Sequence, residues 1–244
     1  MTDRETVQLE RGFVLHQRPY RNTSQLVDCL TEHHGVVTLV APGSRRPQTG
    51  QRAVLQPFLA LRLSWVRRGE LGRLTHVEVD PPVTQLSGER LLAGFYSNEL
   101  LLRLAARGDE NAGIFSCYSR CLAELSARPG AARTLRLFEL RLLEALGYGL
   151  GLEHEVGTGE VIRPDERYRF EPQLGASAQN GSAHGTEIYL GSDLISLREG
   201  RLDDEQSLRA AKRLLGHALG VYLGERPLRT RLVLQDVFAR GLEP

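Results

Sequence analysis

The chain has 244 residues, 41% of them hydrophobic and 25% charged, with a formal net charge of +1. That composition is globular, long enough for one large or two small domains with a sizeable core. It holds no run near the eighteen apolar residues a membrane span needs, and the polar start Met1 to Thr6 lacks signal-peptide character, so a cytoplasmic protein without a membrane partner is expected. The charge is unevenly placed. Between Arg11 and Arg73, ten arginines face only Asp28, Glu32 and Glu70, a local balance of about +7. A compact basic module is the electrostatic footprint of a nucleic-acid binder.

The first eighty residues read as β-structure. Phe13 and Leu15 share one face of a strand over Gly12–His16. Leu26, Asp28 and Leu30 alternate with Val27 and Cys29. A turn at Glu32 to Gly35 leads into Val36–Ala41. Leu59, Leu61, Leu63 and Trp65 then face one way, with Arg62 and Ser64 opposite. After the turn at Arg67 to Glu70 comes a fifth strand around Leu74–Val79. Residues 42–58, between the third and fourth strands, leave room for a loop and a short helix. Five strands with an insertion there predict an OB-type barrel over residues 1–80, a fold that binds single strands.

Asp80-Pro81-Pro82 punctuates the chain, and the period beyond it is helical, which predicts a mainly helical domain over residues 81–244 and an α+β protein overall. Leu92, Phe95, Tyr96 and Glu99 mark a helix over about 87–106, and Ile114–Ala127 a second. Leu135, Phe138, Leu142 and Leu146 form the stripe of a third over 131–146, closed by Gly147. Residues 149–191 are glycine-rich and irregular, with β-like pieces at Val161–Ile162, Tyr168–Phe170 and Ile188–Leu190. Asp203 is expected to cap the next helix with Gln206 at the capping-box position. Its stripe is Leu208, Ala211, Leu215, Ala218 or Leu219, and Tyr222. A last helix is expected over 230–238.

The candidate site is a set of loop cations: Arg18 and Arg21 flanking Tyr20, then Arg45, Arg46 and Arg52 in the insertion, and Arg67 and Arg68 in the hairpin turn. Loops at the mouth of such a barrel converge on one groove, where guanidinium groups hold phosphates and Tyr20 is placed to stack a base. A solvated, mixed-charge surface is the alternative. Arg209, Lys212 and Arg213 on one helix face, with Arg136, Phe138 and Leu142 on the third helix, suggest a pocket for an acidic, apolar-ended peptide.

Enzymatic motifs are missing. The sequence has no phosphate-binding loop and no H-E-x-x-H, and the glycines at 147–151 lack a strand–turn–helix setting. Asp203, Asp204 and Glu205 are a metal cluster only on a nuclease reading; at a helix start they are more simply a cap with dipole-favouring acids. Cys117 and Cys121 lack further ligands at metal spacing. No catalytic residue, metal or cofactor is expected.

Six blocks stand in order along the chain: Gly12 to Ser24, Leu39 to Pro47, Leu55 to Phe58, Gly94-Phe-Tyr-Ser-Asn-Glu-Leu-Leu-Leu-Arg-Leu, Phe138 to Gly149, and Leu208-Arg-Ala-Ala-Lys-Arg-Leu-Leu. Together they resemble the RecO family of bacterial DNA repair proteins. The resemblance implies an OB domain followed by a helical domain in a non-enzymatic recombination mediator. It implies binding of single- and double-stranded DNA, annealing of complementary strands, and capture of the C-terminal tail of the single-stranded DNA-binding protein. It also implies action with RecR to load RecA. Arg136 and Arg209 match tail-binding positions, whereas Leu137 replaces an arginine often found after Arg136. The four-cysteine zinc site of many relatives has no counterpart, because residues 149–191 contain no cysteine. RNA binding by an OB adaptor remains the alternative to DNA, with the nuclease reading behind it.

Overall fold

The computed structural model describes residues 4–46, 50–69, 71–81, 85–179, 187–231 and 233. Five strands form a barrel: β1 (Glu5–Tyr20), β2 (Ser24–Thr31), β3 (Gly35–Ala41), β4 (Ala60–Arg67) and β5 (Leu71–Val79), in the order β1-β2-β3-β5-β4. A short helix α1 (Gln51–Val54) sits in the insertion between β3 and β4. β1 is far longer than its central alternation suggests, because it serves two neighbours. Its first part pairs with β4, from Glu5↔Arg67 to Phe13↔Ala60, and its second with β2, from Gly12↔Thr31 to Tyr20↔Ser24. Register shifts at Val7/Glu10 and Val14/His16 bend it between the two, which breaks the period-2 pattern. The sheet closes where β3 runs parallel to β5 through Thr38↔Leu71, Leu39↔Gly72 and Val40↔Arg73. A Cβ at Gly72 would lie 2.6 Å from Leu39 Cδ2 and 3.2 Å from Trp65 Cδ1, so the closure needs a glycine.

Val7, Val14, Val27, Cys29, Val37, Leu39, Leu61, Leu63, Trp65 and Leu74 fill the barrel. Burial drives the Cys29 thiol pKa far up, so it stays a neutral core residue. Phe13, Leu15, Leu30 and Val36 are equally buried but lie outside that core cluster. Two helices, α2 (Gly88–Leu104) and α3 (Ala112–Ala127), pack on the β1 part of this wall, and Val36 meets the connection between them. Phe13 meets Phe115 at 5.5 Å and Tyr118 edge-on at 5.2 Å between ring centroids. Asn98 donates its amide to the Leu15 carbonyl at 2.9 Å and accepts from the buried Tyr118 hydroxyl. The inner face of α2 is therefore Ala93, Gly94, Tyr96, Ser97, Asn98, Leu100 and Leu101. Phe95, expected in that stripe, is 40% exposed and meets the edge of Phe58.

By contact, residues 1–129 and 228–244 form one compact unit and residues 130–227 another. The contact division falls after α3 and so groups α2 and α3 with the barrel. In the second unit, α4 (Ala132–Ala145) and α5 (Gly191–Glu199) pack on α6 (Glu205–Leu223). A sheet of β6 (Arg167–Glu171), β7 (Gly175–Ala178) and β8 (Ile188–Leu190), in the order β7-β6-β8, buries Tyr168, Phe170 and Tyr189. β7 and α5 lie where no periodicity marks them. The cap of α6 is Asp204, one residue later than expected, its carboxylate accepting from Ser207 N at 2.8 Å. The expected last helix, 230–238, lies mostly outside the described residues.

The chain returns to the first unit at Leu228, which is buried, and is held there by Glu99 of α2. That carboxylate accepts from Arg229 N at 2.7 Å, Thr230 N at 2.9 Å and Thr230 Oγ1 at 2.7 Å. Partial burial opposes its ionisation, but these bonds and the nearby Arg103 charge outweigh it and hold its pKa below the usual 4.5. A lowered carboxylate pKa adds stability that is full above about pH 4.5 and is lost as pH falls through the lower folded value. Glu99→Ala should cost about 1–3 kcal/mol and speed amide exchange at Arg229 and Thr230 by about tenfold or more at neutral pH, with the difference from wild type shrinking on acidification. Unchanged exchange at those two amides would show that the clamp does not hold this segment.

Candidate nucleic-acid interface

The strand register places a charged group on the outer face of β2. Val27 and Cys29 point into the barrel, so Asp28 points out, flanked in register by His16 of β1 and Thr38 of β3. Its carboxylate is nearly inaccessible yet fully engaged. Thr38 Oγ1 donates to Oδ1 at 2.6 Å, Arg107 Nη1 to Oδ1 at 3.2 Å and Arg18 Nη1 to Oδ2 at 3.2 Å, with His16 Nδ1 at 3.7 Å from Oδ2. Arg107 also donates to Thr38 Oγ1. A groove of about 470 Å³ runs over this face, lined by Arg18, Leu26, Val36, Val37, Thr38, Arg67, Leu71, Arg107 and Gly108. Arginines flank it, and Leu26, Val36, Val37 and Leu71 give it an aliphatic lining. It crosses β2 and β3, bounded by the β1–β2 and β4–β5 ends, where barrels of this topology take oligonucleotides.

Among the expected DNA-binding residues whose side chains are described, two line this groove. Arg18 does so, and so does Arg67, whose Nε and Nη2 form a fork on Glu5 Oε2 at 2.8 and 2.6 Å. Arg45 is tied to the β1–β2 turn, its backbone N donating to Thr23 O at 3.0 Å and its guanidinium to Arg21 O at 3.5 Å. Arg21 has a left-handed backbone (φ 52) and lays its guanidinium over the Tyr20 ring at 5.2 Å. Tyr20 therefore already has a cation against its ring. Arg46 and Arg68 are exposed, and the side chain of Arg52 lies outside the described residues.

Arg107, which sequence reasoning missed, comes from the α2–α3 connection. Gly108 N donates to Val36 O at 3.1 Å, and Arg107 bridges to Val36 in parallel. This docking uses Gly35 in the β2–β3 turn, at φ +61, where a Cβ would stand 2.1 Å from the Asp109 carbonyl oxygen. The only sequence signal was Arg107-Gly108 in a turn beyond the β window.

The expected peptide pocket on the second unit is assembled differently. Phe138 and Leu142 are fully buried core residues and present no surface. They keep their place in the core stripe of α4, which buries Leu137 and Leu140 as well, so neither is available to a peptide. Arg136 is only 11% exposed and donates to the buried Glu139 at 2.7 Å. Arg209 is paired with Glu205 one helical turn away. Arg213 lies 4.4 Å over the Tyr189 ring and donates to Ile188 O at 2.9 Å. Arg209, Lys212 and Arg213 remain exposed on α6, apart from the buried pair.

Other chemistry has little footing among the described residues. None forms a group of three His, Cys, Asp or Glu side chains placed to hold a metal ion. Asp204 is used as the helix cap, Glu205 by Arg209, and Asp203 lies 3.7 Å from Arg133. No helix there is long and apolar enough to cross a membrane.

A five-stranded OB-type barrel with a basic groove, followed by a helical region with a small sheet, defines an α+β protein of the OB class. The sequence matches the family models described as recombination protein O N terminal over residues 6–81 and recombination protein O C terminal over residues 85–232. It is 42% identical to the DNA repair protein RecO of Nitrosococcus oceani over 96% of both chains. It is 39% identical to that of Methylococcus capsulatus over 94% of this chain and 93% of the relative, and 38% identical to that of Actinobacillus pleuropneumoniae over 96% and 97%. The chain belongs to the RecO family of DNA repair and recombination proteins.

Gly35→Ala should strain the turn and push the Arg107 segment off β3. The expected result is a loss of roughly 1–3 kcal/mol of stability together with weaker binding of single-stranded oligonucleotides. Chemical denaturation and fluorescence anisotropy check both, and a neutral substitution would show that the turn and the connection are not packed together.

Proposed function

We propose that this protein is a DNA-binding recombination mediator that anneals complementary strands in DNA repair, without a chemical step. The observation that carries the reading is the groove on the outer face of β2 and β3, where Arg18, Arg67 and Arg107 flank an aliphatic lining. Guanidinium groups there engage phosphates, and release of condensed counterions supplies affinity that falls steeply with salt. Neutralising the phosphates of two strands lowers their mutual repulsion, which promotes pairing with no nucleotide consumed. Family membership favours DNA over RNA as the polyanion.

The same membership supports the further partners proposed for it. They are RecR, RecA indirectly through its loading on DNA covered by single-stranded DNA-binding protein, and the acidic tail of that protein. A cytoplasmic, nucleoid-associated location fits those partners. For the tail, the exposed cations Arg209, Lys212 and Arg213 of α6 are the available contacts, whereas Arg136 stands behind its pairing with Glu139.

A strand-annealing assay without metal or nucleotide tests the reading. Arg18→Ala/Arg67→Ala/Arg107→Ala should bind a single strand about tenfold or more weakly at moderate salt and anneal correspondingly slowly. Undiminished annealing in that variant would remove the interface, and magnesium-dependent cleavage would replace the function. Reversing Arg209 and Lys212 to Glu should weaken binding of an acidic tail peptide while leaving DNA affinity nearly intact. Equal peptide affinity would remove α6 from the tail site.

A further inference from the structure

We propose that Asp28 is a positioning residue of the groove, whose buried carboxylate holds the guanidinium groups of Arg18 and Arg107 side by side for one nucleic-acid backbone. This rests on the reading of the groove as a nucleic-acid interface. An acidic side chain beneath an anion-binding surface is at first sight a defect, since its charge opposes that of a phosphate. The geometry gives it another role. The Asp28 side chain is 2% exposed, while those of Arg18 and Arg107 are 47% and 60% exposed. The anion is thus the buried partner and the cations are the accessible ones.

A buried carboxylate is tolerated only when it is paired and its lone pairs are filled. Here Oδ1 takes Thr38 Oγ1 and Arg107 Nη1, and Oδ2 takes Arg18 Nη1. A guanidinium has five N–H donors in a rigid fork, and each arginine gives Asp28 only its Nη1, which leaves donors for a ligand. Two positive charges on one negative charge leave the cluster cationic. The two arginines come from different elements, one from β1 and one from the α2–α3 connection. Without a shared anion they would repel and spread over rotamers, and a ligand would have to order both. Holding them in advance removes that ordering cost from binding. Asp28 itself touches no ligand in this scheme and acts through the two cations.

Net charge and positioning predict opposite signs, which makes the proposal decidable. Asp28→Asn conserves shape and removes one negative charge. If only charge mattered, the variant would bind polyanions more tightly. Positioning predicts about tenfold weaker binding of a fluorescent oligothymidylate to the full chain at moderate salt. The slope of log affinity against log salt should also become shallower, by about 0.7 for each single-strand phosphate that is no longer neutralised. In an Arg18→Ala/Arg107→Ala background, the same Asp28→Asn change should have no further effect.

Equal or tighter binding by Asp28→Asn overturns the proposal, as does a loss of the same size in the double-alanine background. Should Asp28→Asn fail to fold, the exposed Arg107 provides the second measurement. Arg107→Lys keeps the charge but replaces with one ammonium the Nε and Nη2 donors that remain for a ligand while Nη1 meets Asp28 and Thr38. It should lose most of what Arg107→Ala loses, and a lysine as good as the arginine overturns the proposal. Wild-type protein that ignores the oligonucleotide removes the interface itself, a result distinct from any of these.

Discussion

The barrel has an apolar outer wall, and most of the first unit follows from covering it. Phe13, Leu15, Leu30 and Val36 are nearly as inaccessible as the barrel interior, although they lie outside its core cluster. A strand pair with apolar side chains on both faces cannot leave one of them in water. Helices α2 and α3 cover its β1 part, through the Phe13–Tyr118 contact and the Asn98 amide on the Leu15 carbonyl. Two helices laid across one wall need a connection. That connection lies against the start of β3 and carries Arg107 to the groove. A packing requirement on one wall therefore supplies a cation to the adjoining face.

The excess of arginines in the β module is less free than its count suggests. Arg11 pairs with Glu32 and Asp80, Arg62 with Asp80, Arg67 with Glu5 and Arg18 with Asp28. Two of these acids, Glu5 and Asp80, stand just outside the basic stretch, so its local charge overstates what a ligand meets. The more exposed of these pairs contribute little to stability. Their effect is on orientation, since a guanidinium with one edge on a carboxylate directs its remaining donors elsewhere. The groove is thus defined by where paired arginines point rather than by how many there are.

The local features of the barrel were legible in the sequence, while its long-range ones were not. Strict alternation at Leu61, Leu63 and Trp65 marks β4, and Gly35 and Gly69 mark the two turns. The length of β1 was hidden because its bulges break alternation where the strand changes partner. Membership of the loop arginines was legible only as a set. Arg18 and Arg67 reach the groove through strand register, Arg21 is drawn onto Tyr20, and Arg107 arrives through a tertiary contact between distant parts of the sequence. Asp28 alternates with Val27 and Cys29 in the sequence, but its contact with Arg107 joins distant parts of the chain and so was not legible.

In the second unit, the stripe of α4 holds for Phe138 and Leu142, but not their expected part in a pocket. The helix buries Leu137 and Leu140 as well as Phe138 and Leu142. The pocket expected from one stripe dissolves into core, and Arg136 turns to the equally buried Glu139. The cysteine-free stretch is ordered by aromatic burial. Tyr168, Phe170 and Tyr189 are each at most 2% exposed, and each such side chain contributes about 1.5–3 kcal/mol. The Tyr168 hydroxyl also accepts from Arg163 N at 2.9 Å and donates to Glu166 at 3.1 Å, which pins the segment leading into β6. Tyr189 then carries the Arg213 guanidinium over its ring, so the packing that orders this sheet also fixes one of the exposed cations of α6.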